Sequence, residues 1–178
     1  YISASRRVVK SVGFEELPNK NHFFNSGDLW SAVGKEYFEG KLNAGEAVYC
    51  EIIGKTYTGE VIQHGYSYGF EKPKVYIYRI SMINSQGTEI DLTYHQMIER
   101  AKQLNIEVCP EYFYGKLSEF IKKDKLADDR DLGDILNKIF YNELLEKPSI
   151  LDNSVVEEGF CLRIDGYPKC EIFKIKSK

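Results

Sequence analysis

The sequence predicts an α+β fold, with antiparallel strands at both ends of the chain and helices inserted between them. Two strand pairs with turn residues between them point to the sheets. Segments with apolar residues at helical spacing point to the helices. A length of 178 residues with 13% aromatic side chains is enough to bury a core and argues against disorder. The length suits one domain, or one domain plus a small insert.

The elements follow in order. Ile2 to Val9 is rich in β-branched residues and reads as a strand. Pro18 to Asp28 reads as a loop. Asp28 is placed to cap a helix through Leu29, Trp30, Val33 and Tyr37 that ends near Gly40. Ala47 to Ile53 is a strand closed by Gly54. Thr56 to Pro73 has no period and reads as a long loop, of the kind that carries function. Lys74 to Ile83 is a strand, Asn84-Ser85-Gln86-Gly87 its hairpin turn, and Thr88 to Leu92 the return. Thr93 caps a helix carrying Met97, Ile98, Ala101 and Leu104. Ile106 to Val108 is a short strand. Helices are expected at Lys116 to Lys123 and Leu132 to Leu145, with Pro148 as a stop. Val155 to Ile164 and Cys170 to Ile175 form a last hairpin, turned at Asp165-Gly166.

Composition narrows the class. The net charge of −3 is not that of a domain that simply coats nucleic acid. Charge is uneven, with Arg6, Arg7 and Lys10 near the start and Lys169, Lys174, Lys176 and Lys178 near the end. Asp128-Asp129-Arg130-Asp131 makes the middle acidic. A basic cleft in an acidic body suits an enzyme that handles phosphates. No apolar run reaches the ~20 residues of a membrane helix. Cys50, Cys109, Cys161 and Cys170 are far apart, and His22, His64 and His95 are scattered, so zinc is not expected. Buried reduced thiols in a cytoplasmic protein are the simpler reading.

Several residues carry candidate chemistry, each beside a plainer reading. Lys174 and Lys176 alternate on one strand and point to one face, as a phosphate site requires. They equally suit the solvated face of an edge strand. Glu158-Gly159 at a strand mouth offers a carboxylate for a metal or ribose, or is only a loop–strand junction. Glu51 is a lone charge in an apolar strand and must pair or face a cleft. Tyr76 and Tyr78 share a face and suit either base stacking or packing. Arg6 and Arg7 point to opposite sides of the first strand, so that one suits phosphate. His64, in a tyrosine-rich loop, has no evident partner.

The order of these segments resembles the covalent nucleotidyltransferase superfamily, most closely the ATP-dependent RNA ligases of the RNA ligase 2 type. Ser5-Arg6 resembles motif Ia, and Tyr49-Cys50-Glu51-Ile52-Ile53-Gly54 resembles motif III. Tyr76-Ile77-Tyr78-Arg79-Ile80 resembles motif IIIa. Glu158-Gly159-Phe160-Cys161-Leu162-Arg163 is similar to motif IV and Lys174-Ile175-Lys176 to motif V. The resemblance implies a ligase adenylation-domain fold, with antiparallel sheets flanking an ATP pocket. It implies three steps: a lysine takes AMP from ATP, AMP passes to a 5′-phosphate, and a 3′-hydroxyl displaces it.

By position, Glu51 would contact the ribose and Tyr78 would stack on adenine. Glu158 would help hold Mg2+ or Mn2+, Lys174 and Lys176 would bind the α-phosphate, and Arg6 would contact RNA phosphate. The implied partners are RNA ends, in a nicked duplex or a cleaved RNA. A cytoplasmic monomer with no membrane attachment is expected.

The Lys-x-Asp-Gly nucleophile motif does not occur; in the family it precedes motif Ia. The expectation is one adenylyltransferase domain over 1–178, cut before that motif and after motif V. Arg79 stands where Asp is frequent, and Cys50 where Gly is usual. The alternatives are a DNA ligase or capping-type relative, or an inactive nucleotide- or RNA-binding module of ligase descent.

Overall fold

A computed structural model describes residues 2–5, 8–10, 28–123 and 147–176. The elements in chain order are β1 (Ser3–Ser5), β2 (Val8–Lys10), α1 (Leu29–Phe38), β3 (Glu46–Ile53), β4 (Lys74–Ile83) and β5 (Glu89–Asp91). Then come α2 (Tyr94–Leu104), β6 (Glu107–Val108), α3 (Leu117–Lys123), β7 (Gly159–Ile164) and β8 (Glu171–Lys176). The α+β class is borne out: most strand pairs are antiparallel and the helices are few. The chain forms two compact units, Tyr1–Val108 with Asp165–Lys169, and Cys109–Ile164 with Cys170–Lys178.

In the first unit β3 pairs with β4, and β4 with both β5 and β6. Val48, Cys50 and Ile52 of β3 and Val75, Ile77 and Ile80 of β4 meet one apolar core with Leu29, Val33 and Phe38 of α1 and Met97, Ala101 and Leu104 of α2. The helices form where the sequence places them because their ends are satisfied locally. Asp28 accepts the Ser31 N–H at 3.2 Å, meeting one of the orphan donors of the first turn. Thr93 and Gln96 cap α2 reciprocally, and Asn105 closes it in the left-handed region at φ 57°. The Asn84–Gly87 turn is also as expected: Asn84 O accepts from Gly87 N–H, and Asn84 N–H donates to Thr88 O.

The segment expected as one strand through Ile2–Val9 is instead two strands paired with each other, in register Ser3↔Lys10 and Ser5↔Val8. A run of β-branched residues reports strand propensity but not a reversal. β6 is parallel to β4, the one parallel pair among the described residues. The 56–73 loop folds on itself: Thr56 N–H donates to Glu60 O at 2.7 Å, and Ile62 N–H reaches Gly54 O at 3.0 Å. Gly54 is needed there, at φ +93°, because a Cβ would meet Lys72 O at 2.7 Å.

In the second unit β7 and β8 form an antiparallel hairpin, starting at Gly159↔Lys176. The turn expected at Asp165-Gly166 is wider, since β8 begins only at Glu171. Phe160 is buried with its ring edge-on to Tyr112 at 4.7 Å. Arg6, Arg7 and the helix expected over 132–145 lie outside the described residues. Among the described residues no helix is long and apolar enough to cross a membrane. None of the four cysteines forms a disulfide. Burial pushes the Cys50 thiol up to about 12, whereas Cys161 is exposed, against the expectation that all are buried.

Candidate functional site

Residues of β3 alternate between the core and the opposite face. Val48, Cys50 and Ile52 pack inward, so Tyr49, Glu51 and Ile53 lie on the other face. β4 behaves the same way until its register with β3 shifts. Tyr49 pairs with Arg79, but Cys50 pairs with Ile77, so Tyr78 is the extra residue of a bulge. The bulge leaves two residues, Tyr78 and Arg79, between the fully buried Ile77 and Ile80. Glu51, Tyr49, Tyr78 and Arg79 therefore share the face turned away from the core. Glu51 is exposed and Tyr78 is 36% exposed, whereas Tyr76 is buried, so the expected Tyr76/Tyr78 pair divides between packing and solvent.

A polar network crosses this face. Arg79 Nε donates to Asp91 Oδ1 at 2.7 Å, and its Nη2 donates to Glu89 Oε1 at 3.1 Å. Its guanidinium lies 4.3 Å from the centre of the Tyr49 ring. The hydroxyls of Tyr49 and Ser81 donate to the same Glu89 oxygen at 2.9 and 2.8 Å. Lys169 Nζ reaches Glu89 Oε2 at 2.7 Å. The Lys169 hydrogen bond, with those of Ser81 and Tyr49, pushes the Glu89 carboxyl down to about 2.

A carboxyl lowered by folding stabilises the fold above its unfolded value, and that contribution is lost as pH falls through the folded one. For Glu89 the window runs from about 4.5 down to about 2. Thermal melts of the wild type and Glu89→Gln should therefore differ at neutral pH and converge across that window. Added salt should narrow the gap at neutral pH, because Lys169 is mostly exposed.

Sequence reasoning missed Glu89 and Asp91, and placed Lys169 only in the basic cluster near the end of the chain, not as the partner of Glu89. The alternation of Glu89-Ile90-Asp91 places two carboxylates on one face and signals part of the network. Nothing local signals Lys169.

In the second unit the register puts Lys174 opposite Cys161 and Lys176 opposite Gly159, so both lysines share one face of the hairpin with Arg163. Glu158 is half-buried and immediately precedes the Gly159–Lys176 pair. Lys174 and Lys176 are exposed. No three Asp, Glu, His or Cys side chains cluster as a cation cage among the described residues. A lone carboxylate still fits a divalent cation that brings its own phosphate ligands, as Mg2+ commonly does. No family model, curated protein or solved structure matches the chain.

Proposed function

We propose that this chain belongs to the nucleotidyltransferase core of an ATP-dependent RNA ligase, joining 5′-phosphate and 3′-hydroxyl ends through lysyl-AMP and RNA-adenylate. The observation that carries the reading is the strand placement of the residues named for it. Glu51 and Tyr78 lie on one sheet face away from the core, and Lys174 and Lys176 lie on one hairpin face beginning beside Glu158. In this reading the Tyr78 ring supplies a stacking surface for adenine. Glu51 accepts from the ribose hydroxyls. Lys174 and Lys176 offset the charge that develops on the α-phosphate, the electrostatic part of the catalysis. Glu158 would hold the divalent cation, which when bound polarises the phosphoryl oxygens.

The test is mass spectrometry of the full-length protein after incubation with ATP and Mg2+, followed by sealing assays on nicked RNA and nicked DNA. A covalent AMP on lysine is the expected product. Lys174→Ala and Glu158→Ala should each slow its formation about a hundredfold or more. Normal labelling of both variants would refute the assignment. Sealing confined to all-DNA nicks would make the protein a DNA ligase. ATP binding with no adduct would make it a binding module.

A further inference from the structure

We infer that Arg79 is a positioning residue for nucleobase binding: it sets the plane of Tyr49, and through Tyr49 that of Tyr78. The inference rests on the reading of Tyr78 as the base-stacking side chain. The Tyr49 ring is held at two points. Arg79 lies over its face at 4.3 Å, and Glu89 accepts from its hydroxyl at 2.9 Å. Arg79 cannot slide along the ring, because Asp91 fixes its Nε edge at 2.7 Å and Glu89 takes Nη2 at 3.1 Å. Lys169 and Ser81 in turn hold Glu89. The Tyr49 and Tyr78 ring centres are 6.4 Å apart at 48°, so a fixed Tyr49 is a wall against which Tyr78 rests.

An aromatic surface ordered before the ligand arrives loses less freedom on binding. The bulge is what makes this possible. Without its extra residue, strict alternation from Ile77 would turn residue 79 into the core. The sequence departure at Arg79 thus has a structural use: a flat, permanently charged group that can both stack and pair.

The experiment is calorimetric titration of the full-length protein with ATP, for the wild type, Arg79→Lys, Tyr49→Phe and Tyr78→Ala. The rate of AMP adduct formation at saturating ATP is measured alongside. Lysine keeps a charge for Asp91 but cannot lie flat on the ring. Arg79→Lys should therefore raise the ATP Kd about five- to tenfold, with the saturated rate changed less than about twofold. Tyr49→Phe, which keeps the ring and removes only the Glu89 contact, should raise Kd about threefold.

A purely structural role would lower the fraction of competent protein and leave Kd unchanged. Wild-type Kd in both variants beside a weakened Tyr78→Ala would overturn the inference and spare the stacking reading. Wild-type Kd in Tyr78→Ala would overturn the stacking reading and this inference with it. Should Arg79→Lys not fold, the Kd of Tyr49→Phe decides between the same outcomes.

Discussion

Arg100→Ala is expected to destabilise the first unit by about 3 kcal/mol, the cost of leaving a buried carboxylate without its cation. Arg100 is on α2 and Glu46 begins β3, so the pair ties helix to sheet. The contact is bidentate, Nε to Oε1 at 2.7 Å and Nη2 to Oε2 at 2.8 Å, and Nη2 also donates to Lys41 O at 2.7 Å. The Glu46 side chain is 1% exposed. Burial alone pushes its carboxyl up, but Arg100 and the Asn43 N–H outweigh burial and hold it below the usual range. Without Arg100 the carboxylate keeps only neutral partners from Asn43, its N–H at 2.8 Å and its side chain.

The reverse truncation is milder. Glu46→Gln leaves an Arg100 that still reaches Gln103, Lys41 O and solvent, and about 1–2 kcal/mol is expected. Urea unfolding of both variants checks the asymmetry. In Arg100→Ala the stranded Glu46 carboxyl takes up a proton more readily, so its deficit against wild type should shrink as pH falls. Equal costs for the two variants, independent of pH, would mean that the Glu46 carboxylate is solvated rather than buried.

What could be read from the residues beforehand was whatever depends on near neighbours. The Thr93–Gln96 cap, the Asn84 turn and the alternation in β3 and β4 each involve side chains within a few positions, and the structure keeps them. The reversal between β1 and β2 was not legible, because Ile2, Val8 and Val9 favour extension whichever way the chain runs. The bulge at Tyr78 was hidden for a related reason. An even pattern of Tyr76 and Tyr78 looks like a regular strand, and only the buried Ile77 and Ile80, three apart, betray the extra residue. Lys169 meets Glu89 across a separation of 80 positions, and no local pattern encodes such a contact. The candidate residues of the two units divide likewise. Glu51, Tyr78, Glu158, Lys174 and Lys176 were marked by strand position, whereas the network that holds Tyr49 emerges only when β3, β4, β5 and the 165–169 turn are assembled.

Gly159→Ala is expected to cost about 2–4 kcal/mol in the second unit and to break the start of the β7–β8 pairing. The backbone at Gly159 has φ +157°, and a Cβ there would stand 2.2 Å from Ile175 O and 2.9 Å from Lys176 Cα. Both atoms are backbone, so no side-chain rotation can relieve the contact. β8 must move away, and the pairs Gly159↔Lys176 and Phe160↔Ile175 are the first to part. Phe160 would then lose part of its contact with Tyr112, and the face carrying Lys174 and Lys176 would lose its flat spacing.

Gly87→Ala is the matched control. Gly87 has φ +79° but nothing within 4 Å of a new Cβ, so it carries only the left-handed penalty of about 1–2 kcal/mol. Hydrogen exchange reads the difference: in Gly159→Ala the amides of β8 should lose protection, and in Gly87→Ala they should not. If Lys174 and Lys176 bind the α-phosphate as proposed, Gly159→Ala also suppresses the AMP adduct although every charged residue is intact. Full protection of β8 in Gly159→Ala would refute the clash. Full protection together with a lost adduct would place the role of the glycine in ligand approach rather than in strand pairing.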